Sequence, residues 1–241
     1  MNEEIKKAVD NSQRAQRNYD LSKDISNEDL QTLIHAATNS PSKQNETHYS
    51  LHVYTDQTLI KQIYDYTKKF TLISDLEDTK GLFGVDENGN YWQNDTHSVK
   101  NSQIYANALF VYVKEEGDAR GGTHISGKDN RTSKAMELYD EQIHYSIGIS
   151  IGELILSANL LGYRTGLCSA MDDNSIKALL GVKNRVKMLV GVGYPNNNMD
   201  RRLHAETLNK DVPAKFQNGP LDTPWQFPSF EKNIEVKING K

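Results

Sequence analysis

The side chains of this chain that could do chemistry lie in three separated segments. These are Gln13 to Arg17 with its two arginines, Arg14 and Arg17; the loop Pro41 to Asn45; and Gly193-Tyr194-Pro195, followed by Arg201 and Arg202. Guanidinium groups bind phosphate through charge-assisted, often bidentate hydrogen bonds. An asparagine amide can donate and accept at once along the edge of a planar heterocycle. Cations at both ends of the chain with a polar Pro-Ser loop between them suit a phosphorylated planar ligand better than a metal ion or a nucleophile.

Other chemistries are less well served. Gly191-Val192-Gly193 opens like a dinucleotide fingerprint, but no third glycine follows, and Pro195 with Asn196 to Asn198 makes a loop where a helix should begin. Gly122 to Lys128 matches half of a phosphate loop, yet Asp129 replaces the magnesium-binding hydroxyl and no strand directly precedes it. The seven histidines lack helical metal spacing. His48 and His52, if on a strand, lie about 13 Å apart at about 3.3 Å per residue. No nucleophile elbow is present. The single cysteine, Cys168, rules out an internal disulfide and a cysteine-based zinc cluster, and reads as a small buried hydrophobe.

The elements that must position these segments follow from periodicity. Residues 2–12 carry Ile5, Ala8 and Val9 at helical spacing, and a second helix starts at Ser26 with Asp29 three residues on. Pro41 bars its continuation, so Ser40 to Asn45 must be a loop. Tyr49 to Thr55 reads as a strand, Leu59 to Tyr64 as a helix, Ala108 to Val113 as a central strand and Val186 to Val192 as a buried one. Asp140 to Leu161 is apolar nearly all round and is expected to be a helix buried on most faces, with Gly148 and Gly152 one turn apart for close approach of another helix, as at a subunit interface. Gly162 ends it, and Asp173 to Leu180 is a short helix closed by Gly181. Residues 71–101 read as a surface excursion and 115–131 as a long charged loop. The Pro-rich tail holds Trp225 and Phe227, which need a surface to cover.

With 241 residues the chain can bury a sizeable core, and one domain is expected over residues 1–241 with a C-terminal arm from about 205. A formal charge of −4 with both signs interspersed argues against nucleic acid. Ser146, Ser150, Glu153, Ser157 and Asn159 interrupt the longest apolar stretch, which argues against a membrane span. The polar N-terminus does not resemble an export signal, so the cytoplasm is the expected location.

The order and chemistry of the three segments resemble the FMN-dependent nitroreductase family. Gln13 to Tyr19 is similar to that family's opening Arg-Arg-Ser-x-Arg-x-Phe/Tyr, with Gln13 in place of the first arginine and Ala15 in place of the serine. The resemblance implies phosphate contacts around Arg14 and Ala15 and a flavin-ring contact from Arg17. Ser40 to Thr47 is similar to Ala-Pro-Ser-x-x-Asn-x-Gln, matching at Pro41, Ser42 and Asn45 on the flavin edge. Gly162 to Asp172 resembles a stretch whose backbone, here near Ser169 and Ala170, faces flavin N5. Gly193 to Pro195 resembles the closing strand end, with Arg201 and Arg202 on the FMN phosphate and Arg202 the better match. The resemblance further implies an α+β sandwich, with a mostly antiparallel sheet flanked by helices. It implies a homodimer with one FMN in each of two interface sites. Hydride would pass from NADH or NADPH to flavin N5 and then, by a ping-pong mechanism, to a nitroaromatic, quinone or related small-molecule acceptor. A reductive dehalogenase, a flavin-fragmenting enzyme or a non-catalytic FMN-binding protein would use the same motifs.

Overall fold

The computed structural model describes residues 2–42, 45–68, 70–71, 98–115, 133–198, 201, 234 and 236. Its frame is a four-stranded sheet built from β1 (Tyr49–Tyr54), β4 (Ala108–Lys114), β6 (Val186–Gly193) and β5 (Arg164–Cys168), in that spatial order and antiparallel at every pairing. Strand alternation splits β4 between two cores. Ala108, Phe110 and Tyr112 face α2 (Asn27–Thr38) and α4 (Ser133–Leu160). Leu109, Val111 and Val113 face α3 (Gln57–Asp65) and α5 (Asp173–Leu180). The expected α+β sandwich with an antiparallel sheet is therefore present, as helix, sheet and helix layers.

Local signals set the helix ends. α1 (Glu3–Ser12) is capped by Asn2, whose side chain accepts from the N–H groups of Glu4 and Ile5. Ser26 caps α2 by accepting from Asp29 N–H at 3.1 Å. The Asp29 carboxylate does not complete a reciprocal capping box; it accepts from the Tyr163 hydroxyl at 2.6 Å, joining the start of α2 to the segment after α4. Gly162 at φ 91 and Gly181 at φ 66 end α4 and α5 in conformations that glycine adopts without steric cost.

Two expectations about α4 need correction. It begins at Ser133, seven residues before Asp140, because Lys134 to Leu138 contains good helix formers and no proline or glycine. Within one chain it is also not buried on most faces. Ile143, Ile147, Ile151 and Leu154 are buried against the sheet, but Tyr145 is 63% and Ile149 43% exposed. A Cβ placed on Gly148 or Gly152 would meet nothing within 4 Å, so that side of α4 is open. None of the described helices is long and apolar enough to cross a membrane.

Three elements have weak sequence signals. β5 is only Arg164-Thr165-Gly166-Leu167-Cys168, too short and glycine-broken to stand out. A 3₁₀ turn spans Ser102–Ile104, and β2 (Phe70–Thr71) pairs with β3 (Ser98–Val99), closing the ends of the 71–101 excursion on each other. The remainder of that excursion, the 116–131 part of the charged loop with its phosphate-loop lookalike, and the C-terminal arm apart from residues 234 and 236 lie outside the described residues.

Candidate cofactor site

The chain leaving α1 is laid across β5 and fastened by main-chain bonds. Gln16 N–H donates to Thr165 C=O at 2.8 Å, and Arg17 N–H donates to Arg201 C=O at 2.9 Å. Arg201 Nη1 donates to Ala15 C=O at 3.2 Å, and Ser102 Oγ donates to Arg17 C=O at 2.7 Å. Two segments almost two hundred residues apart in sequence are thus pinned into one patch holding Arg14, Ala15, Arg17 and Arg201. Arg14 is exposed, while Ala15, Arg17 and Arg201 are half-buried. Arg202 lies outside the described residues.

This approach is close enough to forbid side chains beneath it. A Cβ on Gly166 would lie 2.5 Å from Gln103 Cβ and 2.7 Å from Gln16 C=O, and one on Gly191 would collide with Gln103 C=O. Tyr19 completes the lock. Its hydroxyl donates to the carbonyl oxygens of Gln103 at 3.0 Å and Gln16 at 3.3 Å, and the residue bridges to Pro195. Burial pushes the Tyr19 hydroxyl well above the usual tyrosine range, with the Arg17 charge opposing it in part.

Ser169 and Ala170 follow the far end of β5 and are both exposed. Ala170 C=O accepts from Lys68 N–H at 2.9 Å, and Asp172 N–H donates to Tyr66 C=O at 2.8 Å, so this corner is held by the chain after α3. From Thr165, beneath the arginine patch, to Ser169 is four residues, about 13 Å at about 3.3 Å per residue. Beside Ser169 a cleft of about 720 Å³ opens between α4 and the starts of α5 and β6, with Ile147, Ile151, Met171 and Met188 among its apolar walls. Lys187 lines it with Lys114 and Arg185; burial, then the neighbouring Arg185 and Lys114 charges, lower its pKa. These cleft cations went unnoticed in the sequence because they are scattered among ordinary surface charges. Gln103 was missed too. Its amide donates to Leu167 C=O at 2.6 Å, between the arginine patch and Ser169, and no periodic pattern marks it.

Pro41, Ser42 and Asn45 do not join this group within one chain. Their loop leads into β1, the outer strand at the opposite edge from β5. At the usual strand spacing three steps across the sheet amount to about 14 Å. Pro41 and Asn45 are exposed. Ser42 Oγ donates to Glu46 C=O at 2.8 Å, and Asn45 stands at φ 60, a left-handed conformation that asparagine tolerates better than most residues.

Among the described residues no group of three or more His, Cys, Asp or Glu side chains is placed to hold a metal ion. Cys168 is 3% exposed, as expected of a small buried hydrophobe, and burial raises its thiol to about 11. Thiolate is the reactive form, so at pH 8 the folded protein is expected to react with a disulfide reagent at least about tenfold more slowly than the unfolded chain. Equal rates for the two would contradict the buried placement.

The donor set fits a phosphorylated flavin by its chemistry: guanidinium groups at one end of β5 and exposed main chain at the other. A family model described as the nitroreductase family matches residues 11–194. Among solved structures, a nitroreductase family protein from Clostridium novyi NT is 17% identical, with a TM-score of 0.52 over 82% of this chain and 89% of that one. A protein from Exiguobacterium sibiricum described as a nitroreductase in complex with FMN is 16% identical, with a TM-score of 0.52 over 80% and 89%. One from Staphylococcus epidermidis, described as an NAD(P)H:FMN oxidoreductase, is 12% identical, with a TM-score of 0.52 over 80% and 87%. No curated protein matches the chain.

Proposed function

The chain belongs to the nitroreductase family, and on that premise we propose that it is an FMN-dependent oxidoreductase. It would pass reducing equivalents from NADH or NADPH to a nitroaromatic, quinone or related small-molecule acceptor, as a cytoplasmic homodimer. The observation that carries this reading is the docking of Ala15 to Arg17 onto Thr165 and Arg201, which sets cations at one end of β5 and exposed backbone at the other. Bound FMN would supply the hydride chemistry at its N5 atom, alternating between a nicotinamide donor and the acceptor.

The protein's own contribution is binding, orientation and charge. Arg14 and Arg202 would hold the phosphate; Arg201 is occupied in part by the Ala15 carbonyl and helps to hold the turn. Arg17 would face the ring and favour its reduced, more negative form. Ser169 and Ala170 would present main chain to N5, and the cleft beside Ser169, with apolar walls and charged residues among its lining, would receive a planar co-substrate. The Pro41, Ser42 and Asn45 loop sits at the wrong edge of the sheet to reach the same flavin in one chain, which favours a site completed by a second copy.

The test is the visible absorption spectrum of the purified protein, followed by steady-state oxidation of NADH and NADPH with a quinone or a nitroaromatic. Flavin absorbance with turnover is expected; absorbance without turnover would indicate a flavin-binding protein instead. Arg14→Ala and Arg202→Ala are each expected to weaken FMN binding about tenfold, from the loss of one charge-assisted hydrogen bond. Unchanged affinity in both variants would move the phosphate elsewhere.

A further inference from the structure

A lysine is turned into the cleft beside Ser169 by an irregularity in the sheet. Tyr112 of β4 lies opposite Met188 of β6, but the next residue, Val113, lies opposite Val186, so Lys187 is one residue too many for its partner strand. A bulge of this kind breaks strand alternation and re-aims a side chain. In strict alternation Lys187 would face away from Met188. Instead, both line the cleft: Val186 is buried in the α3 and α5 core, Met188 packs on the α4 side, and Lys187 Nζ is 3.3 Å from His144 Nε2 on α4.

Lys187 is grouped with charges of its own sign. Lys114, at the end of β4, and Arg185, just before β6, line the same cleft. The carboxylates nearby are committed to other partners. Asp140 is paired with Lys114 at 2.8 Å. Asp173 accepts from Val186 N–H at 2.8 Å and lies 3.9 Å from Lys177. Glu115, next to Lys114 in the chain, turns its carboxylate to Ser50 at 2.8 Å and Asn184 at 2.9 Å. Among the described residues, neither Lys187 nor Arg185 forms an ion pair with a carboxylate.

His144 offers Lys187 no negative charge. Burial first, and then the Arg185 and Lys114 charges, disfavour the Lys187 ammonium, and Asp140 and Asp173 offset this only in part. An anion beside Lys187 and Arg185 would relieve that repulsion and gain charge-assisted hydrogen bonds. The remaining walls suit a flat apolar body. Ile147 and Ile151 come from α4, and Met171 and Met188 bring flexible thioethers that pack well on aromatic rings. A volume of about 720 Å³ lies in the range of small-molecule sites.

We propose that this cleft selects its co-substrate by charge: the apolar walls hold a planar ring, and Lys187 with Arg185 binds a carboxylate carried on that ring. That the bound molecule is the electron acceptor rests on the function reading above, whereas the anion site rests on the cleft alone.

The test uses para-nitrobenzoate and para-nitrobenzamide, which are nearly equal in shape and differ by one charge. Calorimetric titration of the full chain, as purified and with added FMN, is expected to give a Kd about tenfold lower for the nitrobenzoate, the worth of one charge-assisted hydrogen bond. The preference should shrink as salt is raised, because the cations are partly exposed. Lys187→Met keeps the apolar stem and removes the charge, and should reduce the preference to about twofold or less. Arg185→Gln, at an exposed position, should also reduce it and carries the test should Lys187→Met fail to fold. In turnover each nitro group would take two electrons from NADH or NADPH by way of the flavin, with two protons, and lose water to give the nitroso compound. The ratio of kcat/KM for the two probes should fall about tenfold in Lys187→Met, a comparison in which the electronic difference between the probes cancels.

Equal Kd values for the two probes in the wild type, or a preference that survives both substitutions, would overturn the proposal. A raised FMN Kd with the preference intact would assign the cations to the cofactor's phosphate. A changed discrimination between NADPH and NADH with the preference intact would assign them to the donor. Either result would overturn it. A protein that binds no flavin would remove the acceptor's role through the function reading, while the calorimetric comparison still decides the anion site.

Discussion

Replacing Arg17 with alanine is expected to lower the reduction potential of bound FMN by roughly 40 to 90 mV while leaving much of the cofactor in place. A fixed cation near the ring in a partly desolvated site is worth about 2 to 4 kcal/mol to a form that gains negative charge, and for a two-electron couple about 1.4 kcal/mol corresponds to about 30 mV. Arg17 is half-buried and held at both its N–H and its C=O, so its backbone position does not depend on the ligand. Arg17→Lys should fall between, since lysine keeps the charge and loses the planar fork. A redox titration decides it. A variant with the wild-type potential that has lost FMN would assign Arg17 to the phosphate.

The second large effect is expected from splitting the proposed dimer. Ile149→Asp places a charge on the open side of α4, beside Tyr145 and Gly152, where a second copy would pack. Obligate interfaces resemble a core cut in half and do not accept an unpaired carboxylate. The variant should sediment as a monomer. Its FMN Kd should rise roughly 30- to 160-fold, because the partner's Asn45 turn would no longer contribute two or so hydrogen bonds of about 1 to 1.5 kcal/mol each. A monomer that keeps full FMN affinity would show that one chain suffices and that the Pro41 to Asn45 loop lies outside the site.

The regular elements were legible in the sequence where their period was long or their caps were explicit. Ser26 with Asp29, Gly162 and Gly181 marked helix ends, and the unbroken run Ala108 to Val113 marked the central strand. Tertiary contacts decided the rest. β5 exists because Leu167 and Cys168 pair with Val190 and Leu189, and a five-residue strand with a central glycine carries little signal of its own. The start of α4 was obscured by residues that favour a helix without showing a face. At the site, the arginine segments were visible as charges, and their convergence came from the bonds of Arg17 and Arg201. The separation of the Asn45 loop could not have been foreseen, since it follows from strand order.

The glycines under the candidate site bear on how such a site can change over time. At Gly166 and Gly191, paired across β5 and β6, the neighbouring backbone of Gln16, Gln103 and Ile104 fills the space a methyl group would need. Side chains above that floor can be exchanged singly, because the route of the chain is fixed by backbone contact with backbone. A change in the floor itself would lift the whole Ala15 to Tyr19 segment at once. Mutational drift is therefore expected to be granular here, with ligand-facing identities loose and the two glycines nearly invariant. A library selected for folding alone, with no flavin present, should already keep Gly166 and Gly191 while sampling freely at Arg14 and Ala15.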